Sequence, residues 1–452
     1  MTFGEVEAIK VADLMLFQQT GEHLTDLETI VLQGSWHKKT YSDIAQEANF
    51  NEDYIRGTIG LELWRKLSEA VGERVEKRNF RTALERCWQK LETGALDHQA
   101  HVKPSLENVT NSREIARPEI EDFFYHTLAQ PGCLIRIKAP WQMGKTTLMN
   151  KGLYYREKQR DRIARLSLRL AESSDFASLE NFVLWFCLSV TEILGEENKV
   201  EQHWQSKLGN NKVKCMTYFE KYLLTAETPL VLALDDLDRI FSYSQIAGEF
   251  LGILRTLHEQ AKTRPIWQKL RLILVHTEVY DQLQINQSPF NAGTQIKIPD
   301  FTPREVYQVA EKNGLSWTEE QVQKLMNLVG GHPYLVQQAF YYLTQRGLTL
   351  ENLLNHATDE SGLYGNHLRR YRQYLQQHSP DGIEVLKTVV SAESPVEFTT
   401  LQEKEQAQKF YNLGLFRFEN HKVLMRYPLY QDYFQQRSEE RRVGVGHAVC
   451  MA

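Results

Sequence analysis

Four residues, Lys145, Thr146, Asp235 and Asp236, have the types and setting to act on a chain of phosphates. Lys145 and Thr146 lie in the loop Ala139-Pro140-Trp141-Gln142-Met143-Gly144-Lys145-Thr146-Thr147. One substitution separates it from the G-x-x-x-x-G-K-[ST] pattern, whose backbone N–H groups wrap nucleotide phosphates at a helix N-terminus. Gly144 admits the phosphates without a Cβ in the way, Lys145 brings a mobile point charge to the β- and γ-phosphates, and the Thr146 hydroxyl can ligate Mg²⁺. Ala139 stands where the pattern has glycine. With Pro140 behind it, this corner is expected at negative φ.

The carboxylates close a second stretch, in which the apolar run Leu230-Val-Leu-Ala-Leu234 ends in Asp235-Asp236-Leu237-Asp238-Arg239. A buried parallel strand with an acidic pair at its C-terminal tip suits Mg²⁺ binding and the orientation of an attacking water. Asp235 is expected on the metal side with Thr146, and Asp236 on the water side as a catalytic group beside Lys145. His276 and Thr277 end another apolar run and fall where either could meet the γ-phosphate, although a cap or core role is open for both.

An alternation of strands and helices must position these groups. Strands are expected at 133–138, 162–170, 230–234 and 270–275, with helices at 178–193 and 246–259, which predicts an α/β unit with a parallel sheet covered on both faces. Past residue 297 helices take over. Thr302-Pro-Arg-Glu305 and Ser316-x-x-Glu319 read as capping boxes, and Gly330 as a helix stop before Gly331-His332-Pro333. Residues 381–436 read as a winged helix: helices over 383–390 and 398–413, then strands 415–419 and 422–426 turning at Asn420-His421.

Ahead of the sheet, residues 25–90 carry a helix-turn-helix pattern: a helix over 24–32, a short one over 41–48, a turn at 49–51 and a third helix from Glu52 to Trp64. Gly57 and Gly60 weaken that helix, which points to close packing there. Its cations Arg56, Arg65 and Lys66 are matched by Glu52, Asp53 and Glu62, a balance that favours a protein partner over DNA. The expected domains are 1–100, a linker 101–112, a nucleotide-binding unit 113–297, a helical lid 298–380, the winged helix and a disordered tail 437–452.

The 452 residues exceed one core, and 42% hydrophobic and 25% charged residues with a formal net charge of -5 are ordinary for a soluble globular protein. Five scattered cysteines without C-x-x-C spacing suit a reducing compartment. Neither a leader nor a run of 18 apolar residues is present, so a cytoplasmic protein without a membrane span is expected.

Residues 113–335 resemble the AAA-like domain of bacterial signal-transduction ATPases of the STAND class, relatives of the origin-recognition and apoptotic-receptor ATPases. The stretches that carry this are Ile135-Arg-Ile-Lys-Ala-Pro, Gln142-Met-Gly-Lys-Thr146, Asp235-Asp-Leu-Asp-Arg-Ile-Phe241, Gln287-Ser-Pro-Phe-Asn291 and Gly331-His-Pro333. Residues 20–90 are similar to the amino-terminal helix-turn-helix domain of conflict-system proteins built around von Willebrand-type and MoxR-type partners. The resemblance implies ATP and Mg²⁺ as ligands, Arg117 to Glu121 beside the adenine, His332 and Pro333 on the nucleotide from the lid, and a winged helix that senses the nucleotide state. Asp236 stands where many such enzymes have glutamate. It is shorter by roughly 1.5 Å, one C–C bond, so slow turnover is expected.

Three readings follow: a nucleotide-switched signalling ATPase recruiting a partner through residues 20–90, a DNA-associated ATPase, and a non-hydrolysing scaffold that ATP stabilises. The charge balance favours the first over the second, and intact Lys145, Thr146 and Asp235 favour it over the third. A nucleotide-dependent oligomer is left open.

Overall fold

A computed structural model describes residues 3–20, 24, 26–48, 52, 55–92, 115–206, 208–277, 289–345, 347–360 and 362–437. The backbone separates into two compact units, 1–111 and 112–452. The expected turn at 49–51, the linker, Gln287 and Ser288, and the tail from 438 lie outside the described residues.

The first unit is built from helices α1 (Glu5–Thr20), α2 (Asp26–Trp36), α3 (Tyr41–Glu47), α4 (Leu61–Val71) and α5 (Phe80–Glu92). Thr40 starts α3 with a reciprocal cap: its Oγ1 accepts the Asp43 N–H at 3.1 Å, while the Asp43 carboxylate accepts the Thr40 N–H at 2.8 Å. Where one continuous third helix was expected, Ile55–Gly60 form a π-helical segment leading into α4. Gly60 explains part of this, because a Cβ there would come within 2.9 Å of the Tyr41 ring and 3.0 Å of the Ile55 carbonyl oxygen. Among the described residues nothing lies within 4 Å of the corresponding point at Gly57, which does not show the close packing expected there. Val31, Ile44, Ile55, Leu63, Leu67, Phe80 and Leu84 form the core.

In the second unit five strands, β1 (Leu134–Lys138), β2 (Arg162–Ser167), β3 (Leu230–Asp235), β4 (Leu270–His276) and β5 (Thr294–Lys297), form one parallel sheet in the order β2-β3-β4-β1-β5. Every residue of β3 and β4 is buried, including Asp235, Arg271 and His276 among the apolar side chains. The fifth strand, Thr-Gln-Ile-Lys, lacks such a run and was not expected. β2 stops at Ser167, short of the expected 170, because Leu168–Leu170 turn into a 3₁₀ segment, where Ser167 Oγ accepts the Arg169 N–H at 3.2 Å.

Helices α6 (Pro118–Ala129), α7 (Lys145–Lys158), α8 (Leu179–Leu194), α9 (Val200–Ser206), α10 (Asn211–Tyr218) and α11 (Ser244–Gln260) accompany the sheet. Beyond it come α12 (Pro303–Lys312), α13 (Glu319–Val329), α14 (Pro333–Gln345), α15 (Leu350–Asn355) and α16 (Gly365–His378). The Thr302–Glu305 capping box forms as expected. The second box is Thr318–Gln321 instead of Ser316–Glu319: Trp317, just outside the cap, is buried in the same core as Val322, and this fixes the helix start two residues later.

The chain closes with α17 (Ile383–Val390), α18 (Leu401–Leu413) and an antiparallel hairpin, β6 (Phe416–Glu419) and β7 (Lys422–Met425), to which Val396 adds a bridge at Val423. Asn420 and His421 turn it at φ 48° and 67°, the double left-handed geometry of a two-residue hairpin. Thr400 caps α18, which therefore begins at 401 and not at 398. Two cores result. One lies around the sheet; the other joins the helices after the sheet to the C-terminal module, with Val309, Leu325, Phe340, Leu368, Leu386 and Phe410 among its members.

Candidate functional site

The loop after β1 leads directly into α7, whose first residue is Lys145. Gln142 and Gly144 take the left-handed conformation, at φ 59° and 89°, while Ala139 and Pro140 stay at negative φ, as the proline ring demands. Lys145 Nζ donates to the carbonyl oxygens of Ala139 and Pro140, both at 2.8 Å, and to Thr277 Oγ1 at 2.9 Å. Burial lowers its pKa to about 8, against the pull of Asp238, Asp235 and Asp236. The loop's own carbonyls therefore aim the ammonium, and Thr277 ties it to the tip of β4. His276 is buried, with its ring 4.7 Å from that of Phe290.

Thr146 Oγ1 donates to Asp235 Oδ2 at 2.9 Å, which brings together the two oxygen ligands expected for a hard divalent cation. Burial raises the Asp235 pKa, and its neighbour Asp236 adds to this; the Arg165 guanidinium, 3.7 Å away, opposes it. Asp236 sits at φ 53°, and its carboxylate turns to the end of β2, accepting from Ser167 Oγ at 2.8 Å and pairing with Arg169 Nε at 3.1 Å. Asp238 accepts the Thr277 N–H at 2.8 and 3.0 Å, locking the tips of β3 and β4 together. Arg165, Ser167, Arg169 and Asp238 were not among the sequence candidates. Their signal is the sheet register, which sets Ser167 opposite Asp235.

Arg117 acts as a clamp. Its guanidinium donates to Glu305 Oε1 at 2.8 Å, the Pro299 carbonyl at 2.9 Å and the Asp300 carbonyl at 3.1 Å, fixing the segment before α6 to the start of α12.

The other side of the phosphate loop is covered by the C-terminal half. Trp141 packs against Tyr371 and Tyr374 of α16, with ring centroids 5.0 and 4.9 Å apart, and Arg370 lies 4.7 Å over its ring. His367 Nδ1 donates to Gln142 Oε1 at 2.5 Å and Nε2 accepts from Tyr430 OH at 2.8 Å, which fits a neutral imidazole. Burial, then His332 and Arg370, hold the His367 pKa well below its usual value. Lys138 Nζ donates to Asn412 Oδ1 at 3.0 Å. Gly414, at φ 90°, approaches so closely that a Cβ would lie 2.5 Å from Cβ of Pro140.

His332 is buried between the rings of His367 and Tyr427, at 5.2 and 5.8 Å, and burial pushes its pKa down to about 3. Pro333 opens α14 beside it. Met143 is buried, and Thr147 lies half-buried on the first turn of α7.

Residues 105–436, most of the chain, match the family model of the AAA-like domain. The chain belongs to the AAA-like domain family. Residues 3–87 match the vWA-MoxR associated protein N-terminal HTH. Among solved structures, the AAA-like chain is similar to the Walker-type ATPase of Pyrococcus abyssi, at TM-score 0.52 and 13% identity over 71% of this chain and 96% of that one. The ORC2 protein of Aeropyrum pernix in its ADP form gives 0.41 and 14%, over 72% and 93%. A STAND protein of Pyrococcus horikoshii with a tetratricopeptide repeat sensor gives 0.31 and 13%, over 71% and 42%. At these identities only the fold is shared, and only the first score is high enough to argue it. No curated protein matches the chain. Among the described residues no helix is long and apolar enough to cross a membrane.

Proposed function

We propose that this chain is a nucleotide-switched ATPase of the STAND type, whose lid and C-terminal module read the phosphate loop and whose first unit recruits a protein partner. The observation that carries this is the loop itself: one side presents Lys145, Thr146 and Asp235, while Lys138, Pro140, Trp141 and Gln142 are held by α16 and the C-terminal module. A change in loop occupancy therefore has direct contacts through which to travel.

The ammonium of Lys145 would pair with the β- and γ-phosphates of ATP, and the N–H groups opening α7 would receive them. Thr146 and Asp235 would hold Mg²⁺, which when bound neutralises phosphate charge. Thr277 reaches the same region from β4. Asp236 is the carboxylate suited to polarise the water that attacks the γ-phosphorus, but Ser167 and Arg169 engage it, so hydrolysis is slow until that contact opens.

The first unit supports a protein partner over DNA. Arg65 pairs with Glu69, Lys66 with Glu28, Arg86 with Glu73, and Arg74 and Arg78 both with Glu76. Lys77 donates to the Lys39 carbonyl and lies over the Tyr41 ring. Each pairing draws on charge that phosphate neutralisation would need.

Thermal melting with and without ATP and Mg²⁺ tests the site. The melting temperature of the wild type rises, and Lys145→Ala removes most of the rise. A wild type unmoved at millimolar ATP sinks the assignment.

A further inference from the structure

A second charged cluster lies at the opposite end of the sheet, where the parallel strands begin. Asp161 precedes β2, Arg271 is the second residue of β4, Cys133 precedes β1, and Arg156 lies near the end of α7. Arg156 Nε donates to Asp161 Oδ2 at 2.6 Å, and Arg271 Nη1 is 3.8 Å from the same oxygen. Arg271 Nη2 reaches only the Ala129 carbonyl, at 3.4 Å, and its Nε and Nη1 make no hydrogen bond. All three side chains are withdrawn from water: Arg271 is 6% exposed, Arg156 9% and Asp161 5%.

The charges do not balance. The ionisable groups that act on Arg271 are Asp161, Arg156 and Cys133, and burial pushes the Cys133 thiol up to about 12, so it stays neutral at ordinary pH. Two guanidiniums thus face one carboxylate. A buried surplus charge with unmatched N–H donors is strongly unfavourable unless a counter-charge supplies acceptors. One further negative charge balances the cluster. A group that needs only N–H donors, in any direction, suits either unpaired nitrogen of Arg271.

We propose that Arg156 and Arg271 hold a small monovalent inorganic anion of the halide class, with chloride the physiological occupant. It lies at the far end of α7 from the phosphate loop and acts on stability, as a ligand bound only by the native state.

The test is thermal melting of the full chain in potassium gluconate and in potassium chloride at equal ionic strength. At chloride about ten times its dissociation constant, the wild type melts about 2 °C higher than in gluconate, the shift expected for a unit of this size. Arg271→Leu leaves the balanced Arg156–Asp161 pair and loses that difference. An equal shift in both proteins, or none in the wild type, overturns the proposal. Should Arg271→Leu fail to fold, wild-type crystals grown with bromide decide the matter: an anomalous peak within hydrogen-bond reach of Arg271 Nη1 supports the site, and its absence refutes it.

Discussion

Lys145 makes nucleotide binding sensitive to pH in a calculable way. With its pKa lowered to about 8 in the free protein, the ammonium is largely charged at pH 7.5 and mostly neutral by pH 9. Phosphate oxygens favour the charged form, so binding ATP raises that pKa back toward about 10.4, the ordinary lysine value. Between the two values the bound state holds a proton that the free state has released, and affinity falls as pH rises. At pH 9 roughly one free molecule in eleven is charged, so ATP should bind about tenfold more weakly than at neutral pH. The terminal phosphate, with a pKa near 6, titrates below this window and does not confound it. The sign for folding is opposite. Without nucleotide the folded pKa lies below the unfolded one, so this group's contribution becomes less unfavourable as pH rises from about 8 toward about 10.4. The assay is calorimetric titration of ATP with Mg²⁺ from pH 7.5 to 9.5 in buffers of different ionisation enthalpy, which also counts protons taken up. Lys145→Arg serves as the control, because a guanidinium keeps its charge throughout. Affinity that is flat across this range in the wild type, with no proton uptake, refutes the reasoning.

Other substitutions test the remaining contacts. Asp236→Asn should reduce turnover tenfold or more while ATP binding stays within about twofold; equal loss of both, in a binding titration and a phosphate-release assay, would show that the two aspartates have exchanged roles. Arg169→Ala should raise steady-state turnover by freeing Asp236, and an unchanged or lower rate counts against that contact as a brake. Trp141→Ala removes two aromatic pairs and a cation–π contact, together worth about 2 to 4 kcal/mol; protease cleavage between the sheet and the following helices should become faster without nucleotide, and an unaltered digestion profile would rule out the loop as an anchor. For the full chain, duplex DNA binding in a salt series should show no sequence preference at physiological salt, and tight, selective binding would reverse the choice of a protein partner.

What the sequence revealed is what lies contiguously along it. The loop from Ala139 to Thr147 and the strand ending at Asp235 are each continuous, and their chemistry can be read without knowing the fold. Ser167 and Arg169 join the site because β2 lies beside β3, which only strand order discloses. The partner of Gln142 lies 225 residues away in sequence, beyond the reach of any periodicity. β5 is too short and polar to announce itself, and the π-helical segment at 55–60 packs Gly60 against Tyr41, a tertiary contact that helical spacing does not encode.

The second core has a mechanical consequence. Since α12 to α16 and the C-terminal module share one core, they make one lever in place of two independently packed pieces. The short passage from β5 into α12 joins it to the sheet. There the Arg117 guanidinium grips the carbonyls of Pro299 and Asp300, and the Asp300 carboxylate accepts from Arg426 at 3.0 Å and Tyr427 OH at 2.6 Å. Pivot, strap and lever tip meet on two residues. Rotation about them would carry Asn412, Gly414 and His367 off the phosphate loop together.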